Sequence, residues 1–241
     1  MSQALPPEST ALFLDIDGTL LDFAPTPDGV RVPEGLVGTL RAIQAALGGA
    51  FAFLTGRRLS DVDALFGPGF PAAAEHGALV RDAAGAVTRL VQPVPEMDRW
   101  RAEMERFAAR LPGLLIEPKS VGFTVHFRQV PALEGQVLHA LRQLVGGRGE
   151  ILPASRAFEV RPPNTGKGRA LSWYMARPPY QGRLPFFVGD DVTDEAAIAA
   201  AFSEGGAGLH VARNFGGQPG RVRGWLETIH KTATETPHGR A

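Results

Sequence analysis

Two groups of carboxylates are the residues of this chain whose types and spacing best suit chemistry. Asp15 and Asp17 stand two apart in the stretch Asp15-Ile16-Asp17-Gly18-Thr19-Leu20, and three more carboxylates crowd into Gly189-Asp190-Asp191-Val192-Thr193-Asp194. The three in the second group repel one another unless they share a cation or a lysine. Both groups are candidate functional sites, and the alternative interpretation of each is an acidic turn that caps a helix.

Two shorter motifs add groups that could hold a phosphate. Thr55-Gly56-Arg57 combines a small hydroxyl with backbone N–H groups, which can bind a phosphate oxygen. Lys167 lies in Asn164-Thr165-Gly166-Lys167-Gly168 and is one of only three lysines among 25 basic residues. Either motif could equally belong to an ordinary loop or helix start when it is taken alone.

The elements that must position these motifs alternate between strands and helices. Residues 11–14 form a short buried-looking run followed by a turn at Gly18, which is typical of a central parallel strand. The same pattern predicts strands at 51–54, 70–74, 184–188 and 208–212, and helical spacing predicts helices at 35–47, from 60 onward, 167–175, 194–202 and 222–229. This alternation predicts βαβ units and a doubly wound parallel sheet, at whose carboxyl edge ligands bind.

The middle of the chain has a different pattern. Helical spacing at 97–111 and 133–144 alternates with strand patterns at 122–130, 151–152 and 157–161. The alternation of apolar and polar residues in 122–130 favours an antiparallel sheet with helices on one face. We therefore predict an α/β fold, with a doubly wound core formed by residues 1–92 and 161–241 and an inserted α+β domain at 93–160. Residues 177–180, 216–224 and those after Lys231 are predicted to be loops or a frayed tail.

Composition excludes several classes of protein. The 241 residues carry no net charge, are 44% hydrophobic and include no cysteine. This argues against wholesale disorder, a disulfide-stapled secreted scaffold and a general nucleic-acid binder. No apolar stretch reaches the length of a membrane span, and the first residues lack the pattern of a signal peptide. We expect a cytoplasmic protein with no nucleic-acid or membrane partner.

The four motifs together resemble the core of the haloacid-dehalogenase-like phosphatase superfamily. Their order, Asp-x-Asp, Thr, Lys and Gly-Asp-Asp, matches over about residues 11–92 and 161–230. Further stretches resemble the trehalose-phosphatase family in particular: Glu75-His76-Gly77, Glu117-Pro118-Lys119, His126-Phe127-Arg128, Glu159-Val160-Arg161-Pro162, Lys167-Gly168 and Gly189-Asp190-Asp191-Val192-Thr193-Asp194-Glu195. Two departures are Thr55, where the family often has Ser, and Ala196-Ala197-Ile198, where it tends to have acidic or aromatic residues.

The resemblance implies a Mg²⁺-dependent hydrolysis of trehalose 6-phosphate through an aspartyl-phosphate. It implies that Asp15 is the nucleophile and Asp17 the general acid and base, while Thr55 and Lys167 hold the phosphate. Asp15, the backbone carbonyl of Asp17, and Asp190 would be the metal ligands. Asp191 and Asp194 would orient Lys167 or metal-bound water, and for Asp191 a helix-capping role is equally open.

Substrate specificity is expected from residues outside this core machinery, because a disaccharide offers many hydroxyls and little charge. The family uses the inserted domain as a cap over the site, which implies sugar contacts from it. The predicted substrate-binding residues are Gly18, Arg57, Glu75, His76, Glu117, Lys119, His126, Arg128, Glu159, Arg161 and Asn164. Because His126 and Arg128 alternate with apolar residues of the strand at 122–130, we expect them to project from one sheet face, and an ordinary solvated face is the alternative. For Glu75 and His76 the alternative is a capped turn.

Two other functions remain open from the sequence. One is a phosphatase of the same superfamily that acts on a different sugar phosphate, such as sucrose phosphate or mannosyl-phosphoglycerate. The other is a non-catalytic sugar-phosphate sensor, which could dispense with the acid–base group and the lysine. Asp17 and Lys167 are both present, and this favours an enzyme.

Overall fold

The computed structural model describes residues 6–24, 29–154 and 156–235. The chain divides into two compact units. One, the core unit, comprises the described parts of Met1–Thr88 and Gly166–Ala241, and the other, the insert unit, is Arg89–Thr165. The α+β domain predicted at 93–160 falls within the second unit, and its role as a cap stays a prediction.

Eleven strands in the described residues form two separate sheets. The strands are β1 Thr10–Leu14, β2 Phe51–Leu54, β3 Ala72–Ala74, β4 Leu79–Arg81, β5 Val87–Arg89, β6 Leu115–Pro118, β7 Phe123–His126, β8 Glu150–Ala154, β9 Ala157–Arg161, β10 Leu184–Gly189 and β11 Ala207–His210. The first sheet has the order β11-β10-β1-β2-β3-β4-β5 and is parallel from β11 to β3, while β4 runs antiparallel to β3. The second has the order β6-β7-β9-β8 and is antiparallel throughout.

Eight α-helices accompany the sheets in the described part of the chain. They are α1 Leu36–Ala46, α2 Leu59–Phe66, α3 Met97–Ala108, α4 Glu134–Val145, α5 Lys167–Met175, α6 Glu195–Ser203, α7 Val211–Phe215 and α8 Pro219–Glu235. In the core unit, α1 packs against α8 and α5 packs against α6. The predicted doubly wound α/β core with an inserted α+β domain is confirmed.

The core sheet forms where apolar residues run without alternation. β1 and β2 are buried at every position, because helices cover both faces of a doubly wound parallel sheet. Aromatic rings fill the space beside β2, where Phe51 and Phe53 contact Phe66 and Phe70 at centroid distances of 4.8–5.7 Å. This packing fixes the strand ends from which the polar motifs project.

The insert unit has a hydrophobic core of its own. Phe123, Val125 and Val160 pack against Trp100 of α3 and Leu141 of α4. Met97, Trp100 and Met104, which lie at helical spacing in the segment predicted as a helix at 97–111, belong to this core, and Phe107 packs against it. One face of the antiparallel sheet is therefore apolar, and the polar residues of its strands lie on the other.

Several boundaries predicted from the sequence were wrong. The strand predicted at 208–212 ends at His210, and α7 begins at the next residue. The loop predicted at 216–224 includes the first turns of α8, which continues to Glu235, beyond the predicted start of the tail at Lys231. Residues 236–241 of that tail lie outside the described part of the chain. Among the described helices, none combines the length and apolar character required to cross a membrane.

Candidate active site

The strand order of the core sheet reverses at β1. β2 and β3 follow on one side of β1, whereas β10 and β11 lie on the other. Ligands of doubly wound sheets bind at the carboxyl ends of strands beside such a reversal. Asp15 follows β1 directly, and Asp190 follows β10 directly. The fold therefore brings the two predicted acidic motifs to the same point of the sheet edge.

Lys167, the first residue of α5, is a buried cation between two carboxylates. Its Nζ donates to Asp15 Oδ1 at 2.7 Å and to Asp194 Oδ1 at 2.6 Å. Burial alone lowers the pKa of Lys167, but attraction by Asp15 and Asp194 outweighs it and raises that pKa above its ordinary value. The lysine motif and both acidic motifs thus meet in one charged cluster.

Asp194 is engaged on both oxygens. Besides accepting from Lys167, its carboxylate accepts the backbone N–H groups of Asp190 at 2.9 Å and Asp191 at 3.0 Å through Oδ2. This arrangement suits the predicted role of orienting Lys167. Asp191 Oδ1 accepts the N–H of Val192 at 2.7 Å, at the start of a 3₁₀ turn, so capping is the role that its visible contacts support.

The remaining carboxylates could hold a hard divalent cation. Oxygens of Asp15, Asp190 and Asp194 all lie within 4.8 Å of one another. Burial and the nearby Asp194 raise the pKa of Asp190 to about 6, and burial raises the pKa of Asp15 although Lys167 opposes this. Both oxygens of Asp194 already accept hydrogen bonds from Lys167 and the backbone. Asp15 and Asp190 are therefore the better candidates to supply the carboxylate oxygens that Mg²⁺ prefers.

Gly18 makes room for this cluster. A Cβ at this position would lie 2.1 Å from Asp190 Oδ2, and the backbone φ of +74° favours glycine. Any side chain here would push against the carboxylate of Asp190. Gly18 therefore acts by allowing close approach, and its predicted contact with substrate stays a prediction.

Thr19 was missed by sequence reasoning, although it belongs to the first motif. Its buried hydroxyl lies 3.4 Å from Asp15 Oδ2 and 3.3 Å from Asp190 Oδ1. A hydroxyl carries one proton, so it can donate to one of the two carboxylates at a time. The signal was available, because a small hydroxyl residue one turn after Asp15 faces the same strand end.

An open pocket of 240 Å³ lies beside the carboxylates, within the core unit. Its lining includes Gly18 and Asp190 together with Asp22, Phe23, Val211, Ala212, Gly217 and Pro219. Phe23 is 73% exposed, which is unusual for an aromatic ring. Of the three clustered carboxylates, only that of Asp190 lines this pocket.

Asp17 faces a different partner from Asp15. Arg57 donates two hydrogen bonds to the carboxylate of Asp17, from Nε to Oδ2 at 2.7 Å and from Nη2 to Oδ1 at 2.6 Å. The backbone N–H of Arg57 donates to Thr55 Oγ1 at 3.1 Å. The Thr-Gly-Arg motif after β2 is thereby joined to the Asp-x-Asp motif after β1.

Glu75 and His76 form a tight turn directly after β3. Both have left-handed backbones, with φ of 49° and 55°, which non-glycine residues adopt rarely and at a cost. The turn bonds to the loop after β2, because Glu75 N–H donates to the carbonyl of Arg57 and His76 N–H to that of Thr55, each at 2.9 Å. Glu75 is 3% exposed.

Four of the predicted insert residues gather on one sheet face. Glu117 and Glu159 lie opposite Thr124 on either side of β7, and residues opposite each other share a face. Glu117 accepts from Lys119 Nζ at 2.5 Å and contacts His126 Nε2 at 2.9 Å. Burial raises the pKa of Glu117, but His126 and Lys119 outweigh it and lower it to about 2.

The other predicted insert residues lie elsewhere. Arg161 Nε donates to Glu150 Oε2, and the backbone N–H of Asn164 donates to Glu150 Oε1, both at 3.0 Å. Sequence reasoning did not select Glu150. β7 ends at His126, two residues earlier than Arg128, which is an exposed residue of the following turn. Its predicted role in substrate binding stays a prediction.

Comparisons with known proteins agree with this architecture. Solved structures with the same fold include a trehalose-6-phosphate phosphatase related protein, with a TM-score of 0.74 at 20% identity over 95% of this chain and 100% of that one. The C-terminal domain of Candida albicans trehalose-6-phosphate phosphatase gives a TM-score of 0.76 at 18% identity, covering 93% and 92% of the two chains. A phosphatase of the haloalkanoate (HAD) superfamily also matches, with a TM-score of 0.53 at 19% identity over 83% and 85% of the chains. The fold is therefore that of the HAD phosphatases.

Sequence comparison is more specific. Residues 13–214 match the family model described as Trehalose-phosphatase. A probable trehalose-phosphate phosphatase of Sinorhizobium fredii is 38% identical over 85% of this chain and 78% of its own length. The trehalose-6-phosphate phosphatase of Escherichia coli is 32% identical over 91% of this chain and 86% of its own. The chain belongs to the trehalose-phosphatase family.

Proposed function

We propose that this protein hydrolyses trehalose 6-phosphate to trehalose and phosphate. The single observation that carries the proposal is the bridge from Lys167 to Asp15 and Asp194 at the point where the strand order reverses. A non-catalytic sensor has no need of a buried lysine clamped onto a carboxylate. Family membership and the named relatives supply the substrate.

Asp15 is the proposed nucleophile. Lys167 donates to Oδ1, and Oδ2 lies 3.4 Å from the Thr19 hydroxyl, so Oδ2 is the oxygen proposed to attack. Attack of a carboxylate oxygen on phosphorus forms an aspartyl-phosphate and breaks the bond from phosphorus to the sugar oxygen. Water then attacks phosphorus, releases phosphate and regenerates the Asp15 carboxylate.

Asp17 is the proposed general acid and base. Asp17 must enter the first step protonated, and it gives that proton to the departing sugar oxygen. In the second step it takes a proton from the attacking water, which restores the acid form for the next cycle. Its side chain is 32% exposed, in contrast to the buried Asp15. This exposure leaves it accessible to a substrate oxygen or a water molecule.

Charge must be cancelled before a carboxylate can approach a phosphate dianion. Asp15, Asp190 and the carbonyl of Asp17 are the proposed ligands for Mg²⁺. When bound, the ion neutralises negative charge on the phosphate and the carboxylates. Lys167 and the Thr55 hydroxyl would hold the other phosphate oxygens, in positions fixed before the reaction begins.

The insert unit would provide the specificity for the disaccharide and act as the cap. Glu117, Lys119, His126 and Glu159 offer both donors and acceptors on one face of its sheet. Such groups recognise hydroxyls at fixed positions and leave unpaired polar atoms when a different sugar binds. Glu75, His76, Arg128, Arg161 and Asn164 stay predicted contacts with the substrate. A cytoplasmic location also stays a prediction.

The test is phosphate release with Mg²⁺ from trehalose 6-phosphate, compared with glucose 6-phosphate, sucrose 6-phosphate, mannosyl-phosphoglycerate and p-nitrophenyl phosphate. We expect a strong preference for trehalose 6-phosphate. Asp15→Asn should lower turnover by at least about 10³-fold, because no carboxylate remains to attack phosphorus. Asp98→Asn, an exposed position on α3, is the control and should retain full activity.

Each alternative outcome has a definite meaning. Preference for another ester would keep the core chemistry and refute the assignment of Glu117, Lys119 and Glu159. Well-folded protein that releases phosphate from none of the esters would favour a sugar-phosphate sensor. Substantial activity in Asp15→Asn would refute the nucleophile assignment.

A further inference from the structure

We propose that Arg57 is a positioning residue for Asp17 rather than a substrate-binding residue. The inference rests on the proposed function, since it concerns the group that acts as acid and base. Arg57 and Asp17 come from two loops, after β2 and after β1, and meet through a paired hydrogen bond of 2.7 and 2.6 Å. The planar guanidinium fork matches both carboxylate oxygens and so fixes the plane of the carboxyl group.

Two hydrogen bonds of the Arg57 backbone hold this residue in place. Its N–H donates to Thr55 Oγ1 at 3.1 Å, and its carbonyl accepts from Glu75 N–H at 2.9 Å. On the other side of the loop, a Cβ on Gly56 would lie 2.5 Å from His76 Nε2. The ring of His76 therefore packs directly on the Gly56 backbone and leaves no room for a side chain there.

The turn after β3 completes the support. Glu75 and His76 both hold left-handed backbones, which persist only when the surrounding structure enforces them. Their N–H groups bond to the carbonyls of Arg57 and Thr55. A chain of contacts thus runs from this turn through the loop after β2 to the carboxylate of Asp17.

Position matters for Asp17 because it has two tasks. It must reach the sugar oxygen in the first step and a water molecule in the second, and misplacement by about 1 Å can cost about 10²-fold in rate. An arginine that bound phosphate instead would act equally on every phosphate ester. A positioning role for Arg57 therefore predicts a loss of rate that depends on the leaving group, whereas a phosphate-binding role predicts the same loss for every ester.

The experiment compares Arg57→Met and Arg57→Lys with Arg58→Met. Arg58 is the adjacent arginine of the same loop, and its side chain is 41% exposed and paired only loosely with Asp61 at 3.9 Å. We expect Arg57→Met to lower kcat on trehalose 6-phosphate about 10²-fold, with KM within about twofold. The first-turnover release of p-nitrophenol from p-nitrophenyl phosphate should change less than about threefold, because that leaving group departs without a proton.

The conservative variant and a double-mutant cycle separate positioning from other roles. Arg57→Lys keeps the charge but not the fork, so it should lose kcat on trehalose 6-phosphate by about tenfold or more. In an Asp17→Asn background, Arg57→Met should have less than about a twofold further effect, because the group it positions is already gone. Arg58→Met should keep the wild-type kcat and KM.

Other results would overturn the inference. A rise in KM for both esters with unchanged kcat would make Arg57 a phosphate-binding residue. Full rescue by lysine, or an undiminished effect in the Asp17→Asn background, would also refute positioning. A wild-type protein that hydrolyses no ester would overturn the proposed function and this inference together, whereas an active wild type with any of the former results overturns the positioning role alone.

Discussion

At the scale of single residues, the site depends on the close approach of backbone and carboxylate groups as much as on charge. Lys167 fills the space between Asp15 and Asp194, whereas the space in front of Asp190 is left open by Gly18. Of the two carboxylates proposed to hold the cation, Asp15 contacts the ammonium group of Lys167. Asp190 lies against Gly18, which has no side chain to displace it. Substitution of Gly18 tests the second feature without changing any charge.

We predict that Gly18→Ala weakens Mg²⁺ binding at least about tenfold, as expected when a ligand is displaced from its position. The reason is steric, since the new Cβ would meet Asp190 Oδ2 at 2.1 Å. Isothermal titration with Mg²⁺ measures the effect directly. Turnover of trehalose 6-phosphate at low Mg²⁺ should fall in parallel.

Gly35→Ala is a matched control for this substitution. Gly35 has a similar backbone φ, +80° against +74°, but nothing lies within 4 Å of the position that its Cβ would take. It should lose about 1–2 kcal/mol of unfolding free energy through backbone strain alone and bind Mg²⁺ as the wild type does. Equal Mg²⁺ affinity in both variants would contradict a steric role for Gly18.

At the scale of elements, β6 and β7 are joined by an ion-paired cluster as well as by their backbones. Glu117 on β6 contacts His126 on β7 and Lys119 just beyond β6, and its pKa is lowered from 4.5 to about 2. A carboxyl whose pKa is lower in the folded state stabilises the fold above its unfolded pKa. This contribution is lost as the pH falls from about 4.5 to about 2.

We therefore predict that Glu117→Gln lowers the unfolding free energy by roughly 3 kcal/mol at pH 7, from the size of the pKa shift. The difference from wild type should shrink through the window from pH 4.5 to pH 2 and vanish below it. Urea unfolding at a series of pH values measures this. Glu105→Gln removes an exposed pair with Arg101 on α3 and should cost less than about 1 kcal/mol at every pH; a pH-independent difference for Glu117→Gln would contradict the linkage.

The same scale shows which elements were predictable from the sequence. β1 and β2 were found because their residues are apolar throughout, as in a strand buried on both faces. β4 and β5 were not predicted; they are three-residue strands, and every residue of β5 is exposed. The end of β11 was misplaced because Val211, a β-branched residue, extends the strand pattern, whereas the cap that starts α7, in which His210 Nδ1 accepts the Ala212 N–H, depends on local geometry.

At the scale of the whole molecule, the acidic motifs could be assigned to strand ends from the sequence, but their partners could not. The pairing of Arg57 with Asp17 joins residues 40 positions apart, and that of Lys167 with Asp15 joins residues 152 apart. Hydrophobic period fixes which face or end of an element a residue occupies. Which of several polar groups at one sheet edge meet depends on side-chain rotamers and turn shape, as the left-handed Glu75 and His76 illustrate.

The division into two units, each with its own core, leads to a prediction about stability. Trp100 is fully buried in the core of the insert unit, and its replacement by alanine should cost about 3–5 kcal/mol there. In Trp100→Ala, amide hydrogen exchange in β7 and β9 should accelerate about a hundredfold or more, while the amides of β1 and β10 keep their protection. Mg²⁺ affinity should stay within about twofold of wild type, because every proposed ligand belongs to the core unit.

The reciprocal variant is Phe70→Ala, in the aromatic cluster beside β2. It should reduce the exchange protection of amides in β1 and β2 and leave the protection of amides in β7 unchanged. Equal loss of protection in both sheets for either variant would mean that the two units unfold as one.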